Sequence, residues 1–216
     1  MSHETIYRFI YGPEGREQKL YAFLAARRRR RQRMGRKPRS SPIPAERSIV
    51  RRPADIATRQ SFGHWECDLV IFARQFGKAN VTSLQERQSR FHILLANEDR
   101  RSARVIGRVA EALAPLPRQA RQTITFDRGT EFFAYKALPM DSYFCDPHSP
   151  WQKGGVENAN GRLRRHLPRA SPEADRSAPA LAALAQHLNN IPRRCLDYRT
   201  PAEVFAANLA ALSNSA

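Results

Sequence analysis

An acid stands inside the apolar run at residues 65–72, and that placement limits what the chain can fold into. Trp65, Leu69 and Ile71 flank Asp68 in a pattern that suits a buried strand, and a regular strand puts Glu66 and Val70 on the face of Asp68. An ionised carboxylate in such a strand costs several kcal/mol unless it is paired or metal-bound. The sequence therefore demands a partner for Asp68, either a core arginine or a cation.

Two more acids have comparable settings. Asp127 follows Thr123-Ile124-Thr125-Phe126 and precedes Arg128-Gly129, where a buried strand enters a glycine turn, a common place for a ligand in α/β folds. Glu157 lies in Gly154-Gly155-Val156-Glu157-Asn158, just inside the start of a helix. Each has a plain structural account as well: Asp127 as a cap for a helix near Glu131, and Glu157 as a complement to a helix dipole. Acids on a first strand, a later strand and a following helix can converge, and convergent carboxylates are what a hard cation such as magnesium requires. Glu66 and Glu131 rank below these three, Asp146 is a weaker substitute for the second acid, and His64 reads as structural.

The surrounding pattern is mixed α/β. Residues 81–84 and 91–95 suit two more strands, with the polar stretch 85–90 as the turn between them. Residues 122–126 and 142–145 suit a fourth and a fifth. Residues 102–114 read as a helix with Val105, Ile106, Val109 and Leu113 on one face, ended by Pro115. Residues 155–167 and 180–188 read as helices. Thr200-Pro201-Ala202-Glu203 opens the last one with a capping box and a proline at the first helical position. The periodicity predicts one folded domain over residues 61–216, an α/β sheet flanked by helices.

Charge divides the chain differently. With 37 Lys+Arg against 20 Asp+Glu, the net charge is +17, which points to a polyanionic partner. Residues 1–60 hold 16 basic and 5 acidic side chains, so most of the excess lies in the first quarter. Residues 2–11 suit a short helix capped by Ser2, with Ile6, Phe9 and Ile10 at helical spacing. Arg27, Arg28, Arg29, Arg30 and Arg31 form an unbroken run, joined by Arg33, Arg36 and Lys37. Prolines 38, 42, 44 and 53 then suggest an extended linker. This first region reads as a basic N-terminal arm that contacts phosphates rather than a merely solvated tail. No run approaches the ~18 apolar residues of a membrane helix, so no membrane partner is expected and the location expected is cytoplasmic, on the nucleoid. Cys67, Cys145 and Cys195 are few, scattered and odd in number, which suits reduced thiols rather than disulfides or zinc.

Three long motifs carry a resemblance. Gly63-His64-Trp65-Glu66-Cys67-Asp68-Leu69-Val70, Thr125-Phe126-Asp127-Arg128-Gly129-Thr130-Glu131-Phe132, and the stretch from Asp146-Pro147-His148-Ser149-Pro150-Trp151-Gln152-Lys153 to Gly154-Gly155-Val156-Glu157-Asn158-Ala159-Asn160-Gly161 resemble the DDE transposases of bacterial insertion sequences. The type nearest to them is the insertion-sequence-thirty family, related more distantly to retroviral integrases. The opening Ser2-His3-Glu4-Thr5-Ile6-Tyr7 and the closing Leu196-Asp197-Tyr198-Arg199-Thr200-Pro201-Ala202-Glu203 are similar too. The resemblance implies a ribonuclease-H-like fold with a mixed five-stranded sheet, and Asp68, Asp127 and Glu157 as ligands for Mg2+, with Mn2+ as a substitute. It also implies strand cleavage at inverted repeats followed by strand transfer into target DNA, by a homo-oligomer on double-stranded DNA. From the residues themselves, Trp151 suits either packing or stacking on an extruded base, and Asn160 and Arg164 fall near the face of Glu157 by helical spacing, so Arg128, Trp151, Lys153, Asn160 and Arg164 are assigned to nucleic-acid contact. Arg128 stands where the family usually has asparagine, Cys67 where it has glycine, and Gly155-Val156 where it has a polar pair. Residues 2–11 resemble the recognition helix that closes the family's N-terminal helix-turn-helix region, making residues 1–60 a remnant of that region plus a linker. A recognition helix without its partners binds sequence weakly, so the competing expectation is a truncated, non-catalytic DNA-binding protein that inhibits full-length copies.

Overall fold

The central strand follows from the alternation around Asp68. In the computed structural model, which describes residues 2–31, 43–147 and 149–214 and excludes the side chains of Pro150 and Trp151, the chain forms two compact units, residues 1–41 and 42–216. In the first unit α1 (His3–Ile10) starts at Ser2, whose hydroxyl accepts from the Thr5 amide, and the short α2 (Pro13–Glu17) follows. None of the α1 side chains is buried, and Ile6 and Phe9 are exposed. Arg31 pairs with Glu4 and stacks over Tyr7 within this unit.

The second unit begins before the apolar run. Residues 43–60, expected as a proline-rich linker, pack instead onto the second unit. Ile43 and Ile56 are buried, Ser48 bridges to Phe144, and Arg47 donates to Asp141 at 2.8 Å. Prolines break helices but do not stop a segment from burying apolar side chains, at about 1.5–3 kcal/mol each. This segment holds two 3-10 turns, Ala45–Arg47 and Ile49–Arg51, and a short α-helix, α3 (Asp55–Thr58).

Five strands then form one sheet in the order β3-β2-β1-β4-β5. β1 (His64–Ile71) pairs antiparallel with β2 (Asn80–Glu86), which pairs antiparallel with β3 (His92–Asn97). After α4 (Ser102–Leu113), β4 (Thr123–Phe126) joins the other side of β1 in parallel, and β5 (Asp141–Phe144) adds in parallel to β4. Three helices complete the unit: α5 (Gly154–His166), α6 (Ala178–Asn189) and α7 (Pro201–Ser213). All the expected elements are present within a few residues of their expected bounds. The capping box opening α7 has both of its bonds, Glu203 N to Thr200 at 3.1 Å and Thr200 N to Glu203 at 2.7 Å.

The pleat of β1 separates two cores. Trp65, Cys67 and Leu69 pack with Val105, Ile106, Val109 and Leu113 of α4 and with Phe205 of α7, whose ring lies 4.2 Å from that of Phe91. On the other face Val70 packs with Leu163 of α5 and Leu181 and Leu188 of α6. Glu66 and Asp68 share this second face, so both acids look toward α5. Among the described residues no helix is long and apolar enough to cross a membrane.

Candidate active site

Strand register brings the first two acids together. β1 and β4 pair in parallel with Glu66 opposite Thr125, and the same register continued by two residues sets Asp68 beside Asp127. Asp127 follows the last residue of β4 and accepts from the Gly129 amide at 2.9 Å, which turns the chain away from the sheet and leaves the other carboxylate oxygen available. Glu157 stands in the first turn of α5, exposed. All three line one cavity of about 250 Å³, together with Arg128, Cys145, Asp146 and Lys153. A larger cavity of about 820 Å³ lies at the opposite ends of β1 and β4, near His64 and Thr123, but its Arg47 and Asp141 neutralise each other and the three acids are absent from it.

A lysine holds the first two acids. Lys153, 3% exposed, places Nζ 3.1 Å from Asp68 and 3.2 Å from Asp127, and 3.5 Å from the Cys67 carbonyl. Burial alone would lower the affinity of this amine for its proton, yet the two carboxylates outweigh it and raise the pKa well above the ordinary lysine value. The second oxygen of Asp68 accepts from Asn160 at 2.8 Å, and the Asn160 carbonyl oxygen is buried with no partner.

Whether these residues suit a metal turns on donor type and position. The donors are carboxylate oxygens, as magnesium prefers, and a cationic group already sits between two of them. Among the described residues, however, no three acids, histidines or cysteines are gathered closely enough to hold a metal as they stand. Asp68 and Asp127 converge; Glu157 shares their cavity without closing on them.

The neighbouring acids are committed elsewhere. Glu66, 1% exposed, pairs with buried Arg87 and accepts from the Val156 amide at 2.8 Å. It fixes the start of α5, and Gly155 is there because a Cβ would lie 2.6 Å from the Glu66 carboxylate. Asp146 bonds Gln152 and Ser48, holding the loop before α5. His64 bonds Thr123 at 2.9 Å in a buried position, and burial lowers its pKa. The Cys67 and Cys145 thiols are held protonated by burial, the latter pushed up to about 12.

The residues assigned to nucleic acid have differing surroundings within the two units. Arg128 donates to the Cys145 carbonyl at 3.0 Å, and Arg164 donates to the Ile71 carbonyl at 2.6 Å with its guanidinium over Phe72. Arg27, Arg28, Arg29 and Arg30 are exposed, and Arg31 is paired with Glu4. Arg33, Arg36, Lys37 and the Trp151 side chain lie outside the described residues. Sequence reasoning missed the bridging role of Lys153, the tie from Asn160 to Asp68, and the clamp of Glu66 and Arg87. The clamp left a signal in the two-residue spacing that sets Glu66 on the face of Asp68, and Asn160 in its helical spacing from Glu157; the bridge made by Lys153 left none.

No family model matches the chain. It is 38% identical to the transposase for insertion sequence element IS1086 of Cupriavidus metallidurans, over 97% of this chain and 63% of that protein. Transposase InsI for insertion sequence element IS30C of Escherichia coli is 31% identical, over 97% and 57%. The chain thus spans less than two thirds of either relative. The catalytic core domain of BIV integrase shares the fold with a TM-score of 0.54 at 19% identity, over 70% of this chain and 98% of that one. A chain of the simian T-cell lymphotropic virus intasome gives 0.52 at 18%, over 67% and 54%. At such identities the likeness is one of fold, the ribonuclease-H-like fold of integrase cores.

Proposed function

The chain belongs to the family of insertion-sequence transposases that includes those of IS1086 and IS30, and from that premise we propose that it cuts and joins DNA strands at a site built on Asp68, Asp127 and Glu157. The observation that carries this reading is the meeting of Asp68 and Asp127 on one ammonium group, with Glu157 on the same cavity. Asp68, Asp127 and Glu157 would hold Mg2+, or Mn2+ in its place. Bound there, the ions supply positive charge that activates the attacking oxygen and offsets the charge on the leaving one.

The protein's own groups do the rest. Asn160 keeps one oxygen of Asp68 fixed, and the Gly129 amide does the same for Asp127. The run from Arg27 to Arg31 and the arginines Arg128 and Arg164 neutralise backbone phosphates of double-stranded DNA. Water attacks first, at an inverted repeat; the freed 3′-hydroxyl then attacks target DNA in the same site. Cys67 and Cys145, buried and protonated, offer no nucleophile, in keeping with direct transfer. The active form is a homo-oligomer assembled on DNA.

Nicking and strand transfer on DNA carrying the cognate ends, in Mg2+ or Mn2+, test the reading. Asp68→Asn, Asp127→Asn and Glu157→Gln should each lower cleavage by on the order of 10²–10³-fold while DNA affinity is kept or raised. A triple variant that cleaves like the wild type removes the site assignment. One observation favours a second reading, a DNA-binding protein without catalysis: Glu157 stands apart while Lys153 fills the space between the other acids. Tight DNA binding with no product in either metal would select it.

A further inference from the structure

Lys153 is not where a DNA-contacting lysine would stand. It is the residue before α5, at φ −114° and ψ 28°, and its side chain runs inward rather than out to solvent. The ammonium reaches both acids at hydrogen-bonding distance and takes the Cys67 carbonyl as a third acceptor. The Asn160 amide holds Asp68 through its other oxygen, so the carboxylate keeps its orientation whether or not the lysine is present. Next in the chain, Gly154 has open space where a Cβ would be, and the cavity wall beyond includes Arg128 and Ser149.

We propose that Lys153 is a tethered counter-ion of the metal-free site, that a divalent cation enters only as its ammonium leaves Asp68 and Asp127, and that a DNA backbone phosphate receives it. A divalent cation and an ammonium cannot share one pair of carboxylates at ~3 Å without strong mutual repulsion. A phosphate lying against the same cavity gives the displaced ammonium a new anionic partner, which couples metal loading to DNA binding. The lysine thereby offsets the repulsion between the facing acids in the absence of DNA and withholds the metal until substrate is present. This inference rests on the metal-dependent reading of the site.

Calorimetric titration of Mn2+ into the full chain tests it, without DNA and with a short duplex of arbitrary sequence, for the wild type, Lys153→Met and Lys153→Arg. Without DNA, Lys153→Met is expected to bind Mn2+ about tenfold more tightly than the wild type, and Lys153→Arg no more tightly than the wild type. Duplex should raise the Mn2+ affinity of the wild type by a similar factor and leave that of Lys153→Met nearly unchanged. Thermal unfolding guards the result: a Lys153→Met protein that melts early in chelator and recovers with Mn2+ supports the exchange. One that stays unfolded in Mn2+ makes Lys153 a part of the fold and overturns the inference. Wild-type binding that Lys153→Met fails to strengthen overturns it alone, whereas no Mn2+ binding by any of the three proteins removes the metal-dependent reading as well.

Discussion

Two acids on one face of β1, two residues apart, have opposite surroundings. Glu66 is sealed: Arg87 pairs with one oxygen, the Val156 amide donates to the other, and the Arg87 guanidinium is itself held by the Ile56 carbonyl at 3.2 Å. Asp68 is half-open, its side chain 23% exposed, and its cationic partner is a single lysine shared with Asp127 at the edge of a cavity. Burying a charge is tolerable in both places because each has a partner. The difference lies in exchangeability. Every bond of Glu66 fixes the frame, whereas the ammonium beside Asp68 can be traded for another cation without dismantling the sheet.

The largest effect is expected from breaking the sealed pair. Arg87→Met leaves the Glu66 carboxylate buried without its counter-charge, and the loss of such a partner costs about 3–5 kcal/mol. Urea unfolding should show this as a lowered midpoint with an unchanged slope. The same titration of Lys153→Met should show a smaller loss, since water can reach Asp68 and Asp127. Equal losses from the two variants would erase the distinction between frame and exchangeable site.

A buried histidine supplies the next effect and separates the acids from another source of pH sensitivity. His92 on β3 is buried and bonds Ser83, the register partner of Asp68. Burial, with Arg162 and Arg193 nearby, lowers its pKa to about 3. An unfolded chain titrates this group near ~6.5. Between the two values the unfolded chain binds more protons, so stability is complete above about pH 6.5 and falls as the pH drops toward 3. The loss over that window should amount to a few kcal/mol at most, below that from Arg87→Met. Unfolding midpoints of the wild type and His92→Gln across it would check this, and a variant that loses as much stability as the wild type would assign the acid sensitivity to carboxylates instead.

The same contrast explains what could be seen in the sequence. Strands and helices were legible because their apolar periods are strict, as in Val105, Ile106, Val109 and Leu113. Asp68 and Asp127 were legible because a charged residue inside or at the end of a buried strand contradicts its setting. Their partners were not. Arg87 lies in a polar stretch that reads as a turn, and only tertiary packing shows that it is buried. Lys153 stands among Gln152 and two glycines, where a lysine ordinarily points to water; the turn that directs it inward has no period to betray it. Asn160 and Arg164 were placed near the site by helical spacing, but spacing gives a face and not a bond. Residues 43–60 failed for a related reason: two isolated isoleucines among prolines make no pattern, yet each finds a slot on the folded unit.

Two glycines of α5 bring the comparison to the helix itself, and their substitutions should differ in sign. At Gly161 nothing lies within 4 Å of a built Cβ, so Gly161→Ala should stabilise by about 0.5–1 kcal/mol through the lower entropy of the unfolded chain. At Gly155 a Cβ would lie 2.6 Å from the Glu66 carboxylate and 3.2 Å from the Gln85 amide oxygen. Glu66 cannot swing aside, because Arg87 and the Val156 amide hold both of its oxygens. Overpacking of about 1–3 kcal/mol should therefore exceed the gain in helix propensity, and Gly155→Ala should be less stable than the wild type. Relief by moving the start of α5 would also displace Lys153 and Glu157, so this variant should lose Mn2+ affinity while Gly161→Ala keeps it. If both alanines stabilise, the contact of Glu66 with α5 is looser than its two bonds require, and the frame is held elsewhere.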